Sequence, residues 1–141
     1  MQAHHCWPLR LVIVPFVALA TVVSARPAAA QAVHQIRLEH DAVAHEYRFN
    51  PARTVARAGD VLVFKVSGGG DHGLVFEGGM PASARTALSA AMPRRVGELS
   101  SPLLGPNSEY RIVIPSLPAG DYRFYCLPHR AYDEVGLLTI K

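Results

Sequence analysis

The stretch that most constrains this chain is Tyr122-Arg123-Phe124-Tyr125-Cys126-Leu127-Pro128-His129, which runs through a short polar loop into the apolar closing segment Val135 to Lys141. An aromatic-rich strand that reaches a cysteine, with a histidine three residues on and a second strand behind it, is a ligand loop on a β-scaffold. One turn aims a thiolate and an imidazole at the same ion, a pairing that suits a borderline-soft metal such as copper or zinc. Two ligands do not make a site. The glycine-rich turn Gly68-Gly69-Gly70-Asp71-His72-Gly73 delivers a further imidazole at the head of the apolar run Leu74-Val75-Phe76. His72, Cys126 and His129 together give the two-imidazole, one-thiolate set of a mononuclear blue-copper centre.

Cysteine usage sharpens this expectation. Arg10, the apolar run Leu11 to Val23 and the small residues Ala28-Ala29-Ala30 have the pattern of a cleavable signal peptide over residues 1–30, so the chain is expected to be periplasmic or secreted. The run is shorter than the roughly 20 residues of a spanning helix, so no membrane span is expected after cleavage. Cys6 leaves with the leader, and Cys126 is then a lone thiol in an exported protein, where structural cysteines normally pair. A metal explains it better than a merely buried thiol does. A single thiolate also argues against a dinuclear copper centre bridged by two.

Residues 31–141 have the length of one domain with one core. Without Arg10 and Arg26, twelve Lys and Arg face eleven Asp and Glu. Near-neutral charge, scattered arginines and aromatics in strand patterns give no footprint for nucleic acid. Arg94-Arg95 reads as a solvated loop.

Strands are expected over His34 to Glu39, Ala44 to Asn50, Thr54 to Ala56, Val61 to Val66, Leu74 to Glu77 and Glu109 to Ile114, besides the two that flank the ligand loop. Tyr47 and Phe49 share a face, and Gly59-Asp60 makes a tight turn. His34, His40 and His45 read as solvent-facing residues near strand ends. Ser83 is expected to cap a short helix running to Met92, with Ala84, Leu88 and Met92 on its apolar side and Pro93 as its stop. The expected class is all-β, a sandwich of about seven to eight strands with one helix in an insert.

From Tyr47 onward the sequence resembles a cupredoxin of the plastocyanin type. The resemblance rests on Tyr47-Arg48-Phe49-Asn50-Pro51, Ala58-Gly59-Asp60-Val61-Leu62-Val63-Phe64, Asp71-His72, Tyr125-Cys126-Leu127-Pro128-His129 and Val135-Gly136. It implies a Greek-key sandwich, a single copper ion held by His72, Cys126 and His129, and an unidentified redox partner protein for a monomeric carrier. Two departures stand out. Five residues after the loop histidine, where that family usually places an axial methionine, this chain has Glu134; after the first histidine, where asparagine is common, it has Gly73.

Glu134 leaves two arrangements open. As a fourth ligand, its charge would favour Cu(II) over Cu(I), lower the potential and make zinc a stronger competitor. Alternatively it faces solvent, with three ligands remaining or a backbone carbonyl near Asp71 as a distant fourth. Pro128 lacks an N–H and cannot donate a hydrogen bond towards the sulfur. The functional expectation is one-electron transfer by a protein that is not an enzyme. Its alternative is non-redox binding or delivery of copper or zinc. A thiol enzyme built on Cys126 and His129 fits less well, because such a dyad normally takes its histidine from elsewhere in the fold and needs a third, orienting group.

Overall fold

The computed structural model describes residues 30–141. The expected leader over residues 1–30 lies outside the described residues except for Ala30.

Alternation of apolar and polar side chains drives the architecture. In β1 (Val33–Asp41) Ile36 and Leu38 point inwards; Phe49 does so in β2 (Glu46–Asn50), and Thr54 and Ala56 in β3 (Arg53–Ala56). β4 (Val61–Val66) departs from the pattern, an apolar run buried on both faces from Val61 to Phe64, and alternation resumes in β5 (Leu74–Phe76), β6 (Glu109–Val113), β7 (Gly120–Cys126) and β8 (Val135–Ile140). Every strand turns an apolar face inwards, and two sheets facing each other bury them all. The first sheet has the order β2-β1-β4-β6 and the second β3-β8-β7-β5. The pairs β1 with β4 and β3 with β8 are parallel, and the remaining pairs are antiparallel. This is the expected all-β sandwich, with eight strands and one short α-helix among the described residues.

The core is aromatic at its centre. Phe124 meets Phe49 edge-to-face with ring centroids 4.9 Å apart, and Phe64 at 5.5 Å. Ile36, Leu38, Leu62, Leu74, Ile112 and Leu138 fill the space around them, each fully buried. Burial of each such side chain stabilises the fold by about 1.5–3 kcal/mol.

Phe124 lies opposite Gly136 in the β7–β8 ladder, and this pairing explains the glycine. A Cβ at position 136 would stand 2.2 Å from Cε2 and 2.3 Å from Cζ of Phe124. Gly136→Ala is therefore expected to cost about 1–3 kcal/mol through overpacking. Urea denaturation should show a lower midpoint with an unchanged slope; an unchanged midpoint would refute the account.

The helix α1 spans Ala82–Ala91 and rests Ala84 and Leu88 on the core, with Met92 buried just beyond its end. Its N-cap is Pro81, without a side-chain cap bond, and Ser83 lies one residue inside. The expected Ser83 cap is thus displaced: Pro81, already held near φ −55°, sets the start of the helix with no donor of its own to satisfy. No helix among the described residues is long and apolar enough to cross a membrane.

Candidate metal centre

Three chain segments meet at one end of the sandwich. Cys126 ends β7, and its N–H donates to the Glu134 carbonyl at 3.0 Å, one step past the Tyr125–Val135 pair. The base of the ligand loop is therefore the hairpin ladder itself, which puts residues 126 and 134 across from each other. Between them a single 3₁₀ turn, Arg130–Tyr132, closes with the Tyr132 N–H on the His129 carbonyl. Asp133 follows in the left-handed region at φ 56°, reversing the chain so that Glu134 re-enters the protein.

The third segment comes from across the sheet. β5 pairs with β7 so that Leu74 lies opposite Cys126. His72, two residues earlier, is locked by a reciprocal backbone pair with Leu104, at 3.0 and 2.8 Å. Gly73 ties the loops directly: its N–H donates to Cys126 Sγ at 3.3 Å, and its carbonyl accepts from the Leu127 N–H at 3.3 Å. Gly73 thus joins the ligand loops through its backbone alone. Pro128 donates nothing, but the sulfur is not without a hydrogen bond.

His72, Cys126, His129 and Glu134 all belong to one cluster. One donor atom from each lies within 4.8 Å of the others, and all four residues are buried. Nδ1 of His72 is 3.1 Å from Oε1 of Glu134 and 3.6 Å from the sulfur. Nδ1 of His129 is 2.8 Å from Oε2 of Glu134 and 3.4 Å from the sulfur. Glu134 is wholly shielded from water, so the solvent-facing arrangement is not the one this fold adopts. A side chain usually found at the surface is here enclosed by both imidazoles.

Electrostatics give this convergence its meaning. His72 Nε2 lies 2.7 Å from the Gly68 carbonyl, which can only accept, so Nε2 carries a proton, and whenever the ring is neutral Nδ1 is the nitrogen left as a lone pair. That lone pair, a second imidazole nitrogen, a sulfur and a carboxylate then point at one another in a water-free space. Such a set needs cations between its members. Protons fill that role in the metal-free protein, and a metal ion fills it better. Two imidazoles, one thiolate and one carboxylate fit copper, and also suit zinc. Holding a neutral imidazole by a backbone carbonyl on its far nitrogen is the usual way of orienting a metal ligand.

Proton affinities follow from burial and partners. Burial opposes charge on His72, but its bonds to Glu134 and the Gly68 carbonyl outweigh this and raise its pKa above the ordinary histidine value. Burial pushes the Cys126 thiol up to about 12, and the neighbouring Glu134 adds to the rise. At neutral pH the metal-free protein therefore holds a protonated, inaccessible thiol, poorly suited to serve as a nucleophile. Two results are expected. Folded metal-free protein should resist alkylation at about pH 8 and react once denatured, and metal loading should release protons, so apparent affinity rises with pH. Rapid alkylation of the folded protein, or metal uptake without acidification of a weakly buffered solution, would count against this picture.

The other histidines divide by location. His34 Nε2 meets Asp60 at 2.9 Å at the far end of β1, where Asp60 also accepts from the Ala32 and Arg57 N–H groups. These bonds, that to His34 foremost, hold the Asp60 carboxyl down to about 2. A surface hollow of about 420 Å³ lies beside this pair, far along the sandwich from the cluster. His40 is half-buried rather than solvent-facing, because its ring stacks on Tyr47 with centroids 4.3 Å apart. Tyr47 in turn stacks on His129 at 3.7 Å. Sequence reasoning placed Tyr47 on the same face as Phe49 but did not connect it to the site, since only the cross-sheet packing brings that strand to the loop.

Comparison with known proteins agrees with the geometry. Residues 35–141 match the model of the copper binding proteins of the plastocyanin/azurin family. The chain is 30% identical over 131 residues to plastocyanin of Prochlorothrix hollandica, covering 93% of this chain and 89% of that one. It is 32% identical over 92 residues to plastocyanin of Vicia faba, covering 65% and 86% respectively. Among solved structures, oxidized plastocyanin from Dryopteris crassirhizoma superposes with a TM-score of 0.59 at 25% identity, over 77% of this chain and all of that one. Copper is the cofactor that this kinship and the donor set both call for, one ion per chain, in a family of metal-binding proteins and not of enzymes. With two sheets, a hairpin that carries Cys126 and His129, and a match spanning three quarters of its length, this chain belongs to the plastocyanin/azurin family of copper-binding proteins.

Proposed function

We propose that the protein is a one-electron carrier whose mononuclear copper is held by His72, Cys126, His129 and Glu134. The carrying observation is that one donor atom from each of the four buried residues lies within 4.8 Å of the rest. Copper bound there supplies a Cu(I)/Cu(II) couple. The chain supplies rigidity. His72 is fixed by the Gly68 carbonyl and the Leu104 bridge, Cys126 by the hairpin ladder and the Gly73 N–H, and Glu134 by its re-entry after Asp133. Ligands set in this way move little when the charge at the centre changes, which favours rapid electron exchange. Burial of all four residues would keep water away from a metal held there.

The buried carboxylate supports a second reading, non-redox binding or delivery of copper or zinc. A hard, anionic oxygen beside two imidazoles and a thiolate also completes a four-donor zinc site. One experiment separates the two: Cu(II) is added to metal-free protein, visible and electron paramagnetic resonance spectra are recorded, and the product is cycled with a mild reductant and oxidant. An intense thiolate-to-copper band that bleaches and returns supports electron transfer. A colourless product that cannot be cycled, with zinc displacing copper, supports the alternative.

The reading includes export, with residues 1–30 as a cleaved leader and a redox protein as the partner. Trp7 is the only tryptophan, so exported protein should lack tryptophan emission, and its mass should begin near Gln31.

A further inference from the structure

One aromatic feature of the described residues takes no part in holding the metal. His40 is the last residue but one of β1 and Tyr47 the second of β2, and the two are directly paired in the β1–β2 ladder. Their rings stack with centroids 4.3 Å apart and planes 25° from parallel. The other face of Tyr47 covers His129, at 3.7 Å and 19°. Three rings therefore lie in sequence from the metal cluster to the loop end of the β1–β2 hairpin in the opposite sheet.

The protein is built closely around this stack. Gly69, at φ +85°, packs so tightly that a Cβ there would stand 2.6 Å from His40 Cβ, 3.0 Å from Tyr47 Cε1 and 3.3 Å from His72 Nε2. The glycine-rich turn that delivers His72 thus also lies close against His40 and Tyr47, leaving no room for a side chain at residue 69. Tyr132 flanks Tyr47 from the ligand loop, 5.1 Å away. Around the other ligands the surroundings differ. Tyr125, next to Cys126 in the chain, has its face occupied by the Arg130 guanidinium 4.5 Å from its centroid, and the exposed neighbours Leu103 and Leu127 are aliphatic.

We propose that the stack His129–Tyr47–His40 is the route by which the electron passes between the metal centre and its partner, so that the exchange surface is the loop end of the β1–β2 hairpin at His40. The proposal rests on the electron-carrier reading. Tunnelling weakens steeply across gaps between atoms, and near-parallel rings in van der Waals contact bring π-systems closer than aliphatic packing does. In each transfer the reduced centre loses one electron and a one-electron acceptor protein at the His40 face gains it. The bridging rings are neither oxidised nor reduced, and no bond forms or breaks.

Shielding is the competing role for Tyr47, and it predicts the opposite sign. If the ring merely covers His129, which is only 8% exposed, its removal opens the ligand edge and speeds exchange. The test uses copper-loaded protein in its reduced form, oxidised by tris(1,10-phenanthroline)cobalt(III) in stopped flow, with the potential of each variant measured so that rates are compared at equal driving force. Tyr47→Phe, which keeps the stack, should retain the wild-type rate, and Tyr47→Leu should be several-fold slower. A second readout needs no metal. In the metal-free protein the His129 ring protons should show a ring-current shift in NMR that persists in Tyr47→Phe and disappears in Tyr47→Leu. A Tyr47→Leu rate equal to or above wild type, or the absence of that shift in wild-type protein, overturns the route while leaving the carrier reading intact. Wild-type protein that the cobalt complex cannot oxidise at all overturns the carrier reading, and the route with it.

Discussion

Replacing Cys126 with alanine is expected to abolish the visible thiolate-to-copper absorption and leave a folded sandwich. Cys126 supplies the only sulfur in the cluster, and the colour depends on it. The fold does not: the phenylalanine core centred on Phe124 is formed by strands whose pairing never passes through the thiol. The substitution leaves the Gly73 N–H without its acceptor, a cost of about 1–3 kcal/mol, within the reserve of an ordinary domain. His72→Ala should act differently, weakening copper binding and admitting added imidazole into the vacated position, because it removes one nitrogen but leaves sulfur, His129 and Glu134 together. Absorption spectra with and without imidazole, alongside far-ultraviolet circular dichroism for the fold, decide both. Wild-type colour in either variant would refute the ligand set.

Glu134→Met should raise the reduction potential. An anion beside the metal stabilises Cu(II) more than Cu(I), and a neutral thioether removes that preference. Its size follows from burial. Glu134 has no exposure to water, so screening is weak, and at an effective dielectric of about 20 unit charges about 4 Å apart interact by about 4 kcal/mol. For a one-electron couple this corresponds to about 170 mV. Glu134→Gln should fall between the two, since it keeps the oxygen and drops the charge. Voltammetry on the three copper-loaded proteins checks the order; coincident potentials would mean that the carboxylate is no ligand. A higher potential in Glu134→Met would also show that the chemistry of this centre is set in part by its buried carboxylate.

Several elements were legible along the chain because they are local. The spacing from Cys126 to His129 is fixed by a loop of known length, and the bounds of β4, Val61–Val66, follow from an apolar run beside a Gly-Asp turn. Period-two alternation announced most strands. The helix was visible too, although it starts two residues before the place that Ser83 marks, because Pro81 already fixes the backbone at the entry. The 3₁₀ turn at Arg130–Tyr132 carries no apolar period, so nothing in composition revealed it.

Sequence alone determined that this is a β-sandwich protein with a metal-ligand loop, because strand periodicity and ligand spacing are properties of neighbouring residues. It could not decide the direction of Glu134. That depended on the left-handed turn at Asp133 and on two imidazoles arriving from different segments to enclose the carboxylate. Nor could it reveal the ring stack, since His40 and Tyr47 reach His129 only when the two sheets pack face to face. Contacts between residues distant in the chain arise from burying the apolar faces of both sheets at once, and only the tertiary structure records which side chains that burial brings together.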